Sequence, residues 1–469
     1  MKTIKCSPLL AMLLGFIIVA VAISTISVEG RNHHVKNIKP KHHRHSKNIP
    51  TGSPAPAPYP STDEAIFDIR SFGAKGDGVS DDSEALVGAW KAACKVAGGK
   101  VEIPAGKEFM VKPVTLQGPC KEETLVQIEG TLVALEKVGS WPKSSLFQWL
   151  NFKLVSHVTI QGSGTLDGRG SNWWNLDTYQ TQKKNKYIPP MKPTALRFYR
   201  SDNVTVRDIS IVNSPLCHLK FDNSDGVKVN NITISSPANS PNTDGIHLQN
   251  TRNVEIQHSN IACGDDCVSI QTGSSNVHIH HINCGPGHGI SIGGLGKDKS
   301  VACVSDIVVE DIYIQNTLAG VRIKTWQGGL GVVKNLTFSN IQVTDVQIPI
   351  EINQYYCGKS NKCKNQTRAV SISGIKYSNI VGSFTVHPVR IECSNNVPCM
   401  DVELMDIRLK PSRGLQTHQQ QQALCWNSYG KTQEPLVPSS IGYCLKKSKT
   451  GGYYPKSFIT SSHDKTCPS

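Results

Sequence analysis

The sequence predicts an all-β protein, a single-stranded, right-handed parallel β-helix with a short N-terminal capping helix. From about residue 150, short segments of alternating apolar residues recur, and four begin with valines spaced 23, 27 and 23 residues apart. Turn-forming Asn, Gly, Ser and Pro residues separate them. Short strands with a period of about 20–50 residues indicate a solenoid, whereas β-sandwich strands follow every 8–12 residues or so without this longer period. The segments are VTIQGSGTL (158–166), VTVRDISIV (204–212), VKVNNITIS (227–235), VEIQHSNIA (254–262), VHIHHINC (277–284), IVVEDIYI (307–314), VKNLTFSNIQV (333–343) and VSISGIKYSNI (370–380).

Residues 1–30 predict a secretory signal peptide. Lys2 and Lys5 precede an apolar run from Leu9 to about Ile23, and small residues follow. This run is short for a membrane span, and no later segment approaches about 18 uninterrupted apolar residues. We therefore expect a secreted, extracellular protein without an integral membrane anchor.

Residues 31–63 form a basic, His- and Pro-rich segment that cannot bury a core, so we expect it to be disordered. The chain has a formal charge of +14, and residues 31–60 contribute +6 of it through two Arg and four Lys without any acid. The weakly basic remainder suits a polyanionic partner. Three interpretations of the segment stay open: a solvated spacer, retention on an acidic matrix, or metal binding by its histidines, His33, His34, His42, His43 and His45.

Order is expected over residues 64–447, the predicted β-helix domain, followed by a tail of residues 448–469 with one cysteine. Asp81 and Glu84 resemble a capping box at the start of a helix. A helix there would cap the first coil, because an open sheet edge invites pairing with another chain. Its apolar residues recur at helical spacing, at Leu86, Ala89, Trp90 and Ala93.

The cysteines indicate disulfides rather than a metal site. The chain has fifteen, and removal of Cys6 with the signal peptide leaves fourteen in an oxidising compartment. Cys357/Cys363 and Cys393/Cys399 have the spacing of small loop staples, and no Cys/His run has the spacing of a zinc site. Four Asn-x-Ser/Thr sites could carry glycans, at Asn203, Asn231, Asn335 and Asn365.

Three polar motifs, NTDG, GDDC and GHGI, recur at the period of the coils. Asp244, Asp266 and His288 follow one another at intervals of 22 residues. Because neighbouring strands of stacked coils lie about 4.8 Å apart, these side chains and Asp265 should share one face.

Arg322 and Lys324, in the motif RIK, begin 34 residues after His288, and strand alternation sends both side chains to the same side. Crowded carboxylates cannot all ionise easily, so one should retain a proton. Glycoside hydrolysis needs that pairing of a carboxylic acid with a carboxylate, and the two cations would bind carboxylates of a substrate. Each motif alone is more typical of a turn, a loop or a solvated strand, but their alignment favours a site.

In content and order, NTDGIH, CGDDC, GPGHGISIG and RIK resemble the four signature motifs of the polygalacturonases, glycoside hydrolase family 28. The resemblance covers roughly residues 64–447, including the SFGAKGDGVSDD segment common in plant members. It implies a secreted cell-wall enzyme that hydrolyses α-1,4 linkages between galacturonic acid residues of pectin with inversion and contributes to wall remodelling. It also implies a monomer that needs no cofactor or metal and binds an acidic polysaccharide rather than nucleic acid.

The family pattern implies a role for each matching residue. Asp265 would be the proton donor, and Asp244 and Asp266 would position and deprotonate the attacking water. His288 would tune or share the proton of the acid. The residues that would contact substrate are Arg322 and Lys324 on the galacturonate carboxylate, Asn242 in the same cleft, and Tyr356 of QYYC, with Tyr355 as its rival.

Two further expectations come from the resemblance. A Cys267–Cys284 disulfide would fix the catalytic loops, and Gly294 departs from the serine that many members have there. One tension concerns stereochemistry, since stacked coils bring carboxylates closer than the roughly 6.5–9.5 Å usual for inverting enzymes. A third carboxylate would seat the water without a wide gap.

Other functions stay open. A pectate lyase shares this fold and substrate class but would use calcium and an arginine base. A hydrolase of xylogalacturonan or rhamnogalacturonan is a closer alternative, although RIK argues against the latter. A non-catalytic β-helix that only binds pectin is a third. Endo or exo action depends on whether loops close one end of the cleft.

Overall fold

The computed structural model describes residues 65–142, 148–176, 191–357, 363, 366, 368–412, 422–447 and 467. All of them belong to one compact unit, Thr62–Ser469. The predicted signal peptide and basic segment lie outside the described residues, as does the C-terminal tail apart from Cys467. None of the helices in the described ranges combines the length and the apolar composition needed to cross a bilayer.

The described chain passes repeatedly through two parallel sheets and forms a right-handed parallel β-helix, as the sequence predicts. The larger sheet contains β1 (Ile66–Asp68), β2 (Asp77–Asp81), β3 (Lys100–Ile103), β4 (Glu108–Met110), β6 (Thr124–Ile128), β7 (Thr131–Val133), β9 (Ser156–Gln161), β10 (Thr165–Asp167), β12 (Asp202–Arg207), β13 (Ser210–Val212), β15 (Asp225–Asn230), β16 (Thr233–Ser235), β18 (Arg252–Ala262), β20 (Ser274–Cys284), β22 (Val301–Gln315), β24 (Leu330–Val346), β26 (Ser371–Phe384), β28 (Cys399–Pro411) and β30 (Ser428–Val437). The smaller sheet contains β5 (Val114–Gln117), β8 (Gln148–Lys153), β11 (Thr194–Tyr199), β14 (Leu219–Asp222), β17 (Ile246–Gln249), β19 (Val268–Ile270), β21 (Ile290–Leu295), β23 (Ala319–Trp326), β25 (Ile348–Tyr356), β27 (Val389–Glu392) and β29 (Leu424–Trp426).

Register between coils stacks like residues on like. Val204 pairs with Val227, Val227 with Val254, and Val254 with Val277, and all four are buried. These are the valines whose spacing predicted the solenoid. Alternation along strands of the larger sheet such as β12, β15, β18 and β20 sends their apolar residues inward, and the coils share one continuous core.

Helix α1 (Ser83–Ala93) packs its apolar face on the first coils. Trp90 meets Phe152 edge-on with ring centroids 5.2 Å apart, and Phe152, Phe198 and Phe221 then stack at 5.1 Å intervals. The predicted helix and its buried face are confirmed. The other helical segments among the described residues are short: α2 (Ser171–Trp174) and 3₁₀ turns at Ile69–Phe72, Val138–Ser140, Lys297–Lys299 and Ser439–Tyr443.

The capping-box interpretation of Asp81 and Glu84 is wrong. The N-cap of α1 is Asp82, which makes no capping hydrogen bond with its side chain. Its carboxylate instead accepts the backbone amides of Lys75 (2.7 Å) and Gly76 (3.1 Å) and so orders the preceding loop. Asp81, the last residue of β2, does accept the backbone amide of Ser83 at 3.1 Å. Among the described residues Glu84 makes no return hydrogen bond to Asp81, so the reciprocal pair that defines a capping box is not formed.

One turn per coil places a residue at the same point of the larger sheet with φ near +50° to +64°. Asn and Asp tolerate this left-handed conformation because their short side chains bond locally. The amide of Asn231, for example, donates to the carboxylate of Asp208 one coil away at 2.8 Å. The aligned residues are Asp208, Asn231, His258, His281, Asp311, Asn340 and Asn379.

Within the described residues, twelve cysteines form six disulfides, which include the predicted Cys267–Cys284 bridge and both loop staples. Cys303–Cys467 joins the end of the chain to β22. Cys217 and Cys263 remain buried thiols. The pairs are Cys94–Cys120, Cys267–Cys284, Cys303–Cys467, Cys357–Cys363, Cys393–Cys399 and Cys425–Cys444.

Of the four possible glycan acceptors, three have exposed side chains in the structure: Asn203, Asn231 and Asn335. Asn365 lies outside the described residues.

Candidate active site

The smaller sheet brings the predicted acids together. Ile246 of β17 pairs with Val268 of β19, which pairs with Ile290 of β21. Asp244, Asp266 and His288 each lie two residues before one of these paired positions, so they are aligned across three consecutive coils. This is the alignment that the 22-residue intervals predict.

Asp266 is held by two cations. Its Oδ1 accepts from Arg322 Nη2 and Ser291 Oγ, both at 2.7 Å, and its Oδ2 accepts from Lys324 Nζ at 2.8 Å. The carboxylate is 3% exposed. Burial alone would raise the pKa of Asp266, but the charges of Lys324 and Arg322 and the hydrogen bonds from Lys324 and Ser291 lower it to about 2. Asp266 is therefore a fixed, ionised carboxylate.

Asp244 has the opposite electrostatic character. It is nearly buried, and desolvation raises its pKa above the usual value. A hydrogen bond and charge from His247, whose Nδ1 lies 2.9 Å from Asp244 Oδ2, oppose that rise, whereas the charges of Asp266 and Asp265 add to it. Two neighbouring carboxylates are thus tuned apart, which is the arrangement that acid–base chemistry uses.

Asp265 is the most exposed of the three acids. Its Oδ1 lies 2.8 Å from His288 Nδ1 and accepts the backbone amide of Asp266 at 2.9 Å. The side chain of Asp265 is 20% exposed and that of His288 is 35% exposed. The histidine therefore orients an acid that can reach a bound substrate.

The three acids open into a cleft of about 380 Å³, which Asn242, Lys324 and Tyr356 also line. Lys324 Nζ lies 5.6 Å from the centroid of the Tyr356 ring. Tyr355 instead donates its hydroxyl to the carbonyl of Cys393 at 3.2 Å, so of the two tyrosines Tyr356 is the one in the cleft. Arg322 is directed at Asp266 and is only 6% exposed.

The structure gives a reason for the glycine at position 294. A Cβ there would lie 2.9 Å from Trp326 Nε1 and 3.2 Å from the ring of Tyr356. Trp326 and Tyr356 meet edge-on at 5.2 Å and line the cleft. The position leaves little room for a serine unless these rings move.

Sequence reasoning missed three residues of the site. His247 lies within NTDGIH and Ser291 within GPGHGISIG, but the motifs alone do not show that these side chains are partners of the acids. Trp326 follows RIK by two residues, and strand alternation would have placed it near Lys324. All three residues lie in or next to the motifs, but finding them would have required assigning the direction in which each side chain points.

Ligand atoms of Asp265, Asp266 and His288 lie within 4.8 Å of one another, which is close enough for all three to bind one cation. However, Arg322 and Lys324 already neutralise Asp266. Two positive charges at hydrogen-bond distance oppose a metal ion there, so the arrangement suits acid–base chemistry better than metal chemistry.

The sequence is similar to those of known glycosyl hydrolases. The family model described as glycosyl hydrolases family 28 matches residues 94–428. A probable polygalacturonase of Arabidopsis thaliana is 39% identical over 380 residues, which cover 80% of this chain and 84% of that protein. A polygalacturonase of Persea americana is 40% identical over 370 residues, which cover 78% of each.

Two solved structures share the fold. The polygalacturonase from Erwinia carotovora superposes with a TM-score of 0.60 at 25% identity, over 79% of this chain and 95% of that one. The endo-xylogalacturonan hydrolase from Aspergillus tubingensis superposes with a TM-score of 0.67 at 22% identity, over 79% and 99%.

Proposed function

The chain belongs to family 28 of the glycosyl hydrolases and is a glycoside hydrolase, and we propose that it hydrolyses the α-1,4 linkages between galacturonic acid residues of pectin with inversion. The observation that supports this most is the placement of three aspartates on one cleft beside Lys324. Pectin is a polyanion, and the cation faces the space where its sugar carboxylates would lie.

Asp265 is the proposed proton donor. In its protonated form it would transfer a proton to the glycosidic oxygen as the bond from that oxygen to C1 breaks, so the leaving sugar departs as a neutral alcohol. His288, whose Nδ1 lies 2.8 Å from Oδ1 of Asp265, would orient this acid and tune or share its proton.

Asp244 and Asp266 would share the water on the other face of the sugar. Asp266, with a pKa of about 2, is a poor base, but it is a rigid acceptor that can position the water. Asp244, whose pKa is raised, is the better proton acceptor. The two salt bridges to Asp266 also make it a poor nucleophile, which supports inversion although oxygens of Asp265 and Asp266 lie within 4.8 Å.

Lys324 is the proposed first contact of the substrate carboxylate, with Tyr356 and Asn242 beside it in the cleft. Arg322 would bind the same carboxylate if it left Asp266, and otherwise acts by holding that acid. Of Tyr355 and Tyr356, the proposed substrate contact is Tyr356, since the hydroxyl of Tyr355 donates to the carbonyl of Cys393.

The same proposal extends to location and organisation. Residues 1–30 would be removed on secretion, residues 31–63 would remain a basic spacer or wall tether, and residues 64–447 would act as a monomeric catalytic domain in the cell wall. Six disulfides among the described residues support an oxidising compartment. Remodelling of the plant cell wall is the proposed biological role.

Product analysis from polygalacturonate tests the reaction. We expect new reducing ends without ultraviolet-absorbing unsaturated products, at a rate that a calcium chelator does not change. A ladder of oligomers would indicate endo action and galacturonic acid alone exo action, and NMR of the first product formed would show the β-anomer. Unsaturated products that require calcium would instead establish a lyase.

A further inference from the structure

A histidine cluster lies on the outer face of the larger sheet, outside the cleft. Register places Glu255 of β18 beside His278 of β20, and His280 of β20 beside Glu310 of β22. Ile279, which separates His278 from His280, points into the core, because side chains alternate along a strand. His281 follows at the aligned left-handed turn.

Each imidazole has one nitrogen engaged by a neighbour. Nε2 of His278 lies 2.8 Å from Oε1 of Glu310, and Nδ1 of His280 lies 2.8 Å from Nδ1 of His281. The rings of His278 and His280 are 4.4 Å apart between centroids. This leaves Nδ1 of His278 and Nε2 of His280 as the available donor atoms, and Nε2 of His280 is 3.6 Å from Oε1 of Glu255.

We propose that Glu255, His278 and His280 form a binding site for a divalent transition-metal ion, Zn²⁺ or Cu²⁺. Ligand atoms of all three lie within 4.8 Å of one another. Around a tetrahedral ion with bonds of about 2.0–2.2 Å, neighbouring ligands are roughly 3.3 Å apart, so small side-chain rotations close the site. Imidazole nitrogens select these metals over Ca²⁺ and Mg²⁺, which prefer all-oxygen sites.

The surrounding residues fit the role of outer partners. A metal-bound histidine usually gives its second nitrogen to a carboxylate or another acceptor, which fixes the ring. Glu310 does this for His278 and His281 does it for His280. The three ligand side chains are half-buried, so an ion can reach them from solvent.

A bound ion would join β18 to β20, the strands that precede the loops of Asp265 and His288. It would therefore be a cross-link between the two coils that carry those loops. Since the folded protein holds the three ligands together and should bind the ion more tightly than the unfolded chain does, the ion should raise the melting temperature. It touches no residue of the cleft, so hydrolysis should not depend on it.

Calorimetric titration with ZnCl₂ and CuCl₂ tests the site on the full chain. The five histidines between residues 33 and 45 could also bind metal, so they are replaced by Gln in every protein compared. The parent should bind one equivalent and show a rise in melting temperature with Zn²⁺. His280→Gln and Glu255→Gln should each lose both, while His387→Gln, which removes a half-buried imidazole elsewhere, should keep both.

Activity on polygalacturonate and the circular dichroism spectrum should be unchanged in these variants. CaCl₂ should give no heat above dilution. The same stoichiometry and melting shift in the parent and in Glu255→Gln would overturn the proposal, as would a parent that binds no equivalent. Because Glu255 is partly exposed, its substitution does not threaten the fold and the result can be interpreted.

Discussion

Nδ1 of His247 lies 2.9 Å from Oδ2 of Asp244, three residues earlier in the chain. Both side chains are mostly buried, so this contact offsets part of the desolvation that raises the pKa of Asp244. The proposed base of the reaction therefore has a positioning residue beside it that does not itself need to touch the sugar.

His247→Leu should lower kcat by about 10–100-fold, since a hydrogen bond to a charged group is typically worth about 1.5–3 kcal/mol. Loss of the contact also raises the pKa of Asp244 further, so the acidic limb of the pH profile should move to higher pH. His247→Gln, which can still donate, should recover part of both effects. An unchanged acidic limb in His247→Leu would show that the imidazole does not tune Asp244.

Asp265→Asn should lower turnover by about 10²–10⁴-fold, the usual contribution of a general acid. Folding and binding of oligogalacturonate should persist, because the amide occupies the same space and the side chain is partly exposed. Reducing-sugar release, thermal melting and calorimetric binding measure the three quantities. Near-normal turnover would exclude Asp265 as the acid.

Arg322→Met should destabilise the protein by an amount near the lower end of about 3–5 kcal/mol, because Asp266 stays buried with Lys324 as its remaining cation. Urea denaturation measures this, and the double variant with Asp266→Asn should recover much of the loss. Arg252→Met, which breaks the exposed pair with Asp225, is the matched control and should cost less than about 1 kcal/mol. Equal losses in the two single variants would contradict the buried-pair account.

The pKa of Asp266 also predicts acid sensitivity. Its folded-state pKa of about 2 is below the ordinary value of 3.8. A depressed carboxyl pKa contributes stability that is present above the unfolded value and is lost as pH falls toward the folded one. Wild-type stability should therefore decline between about pH 4 and 2, and Asp266→Asn should show a weaker decline over that window.

Asp244 should affect the pH dependence of stability in the opposite direction. Its raised pKa means that ionisation of the folded protein is costly, so its favourable contribution is present below 3.8 and is lost as pH rises through the folded pKa. Asp244→Asn should raise the melting temperature by a few degrees at pH 7 and change it little at pH 3, while activity falls. A lower melting temperature at pH 7 would refute the assignment of a strained, buried carboxylate.

Gly293 and Gly294 form a matched pair for testing the cleft. A Cβ on Gly293, whose φ is +138°, would lie 2.1 Å from the carbonyl oxygen and 2.6 Å from Cγ of Lys324, whereas one on Gly294 meets side-chain atoms of Trp326 and Tyr356. Gly293→Ala should cost about 1–3 kcal/mol and raise KM, because Lys324 must move. Gly294→Ala should cost less stability than Gly293→Ala, because only the side-chain rings of Trp326 and Tyr356 have to shift; comparable losses in both would remove the distinction.

The coil period made the larger sheet predictable. Apolar and polar residues alternate along its strands, and valines such as Val227 and Val254 pair in register, so the repeat can be recognised from the sequence alone. The smaller sheet was not predicted strand by strand. Val268–Ile270, for example, has three consecutive buried residues, and such a short apolar run has no periodicity to read.

For the candidate site, the alignment of residues on neighbouring coils was easier to predict than the contacts between their side chains. The 22-residue intervals fixed the alignment of Asp244, Asp266 and His288, because that depends only on backbone stacking. The binding of Arg322 and Lys324 to Asp266 depends on which way two long side chains turn in a buried space. The spacing of residues in the sequence does not predict such side-chain contacts. Nor did it predict that Cys217 and Cys263 would remain thiols.

The disulfide between Cys303 and Cys467 closes the last third of the chain into a covalent ring, and its two cysteines are 164 residues apart in sequence. Arg322, Lys324 and Tyr356 all lie inside that ring. A protease that nicked it once would produce two polypeptides on a reducing gel but only one particle in solution, with both sides of the cleft still tethered. Tolerance of a single proteolytic cut in this segment is thus a consequence of the disulfide and does not depend on the stability of the coils.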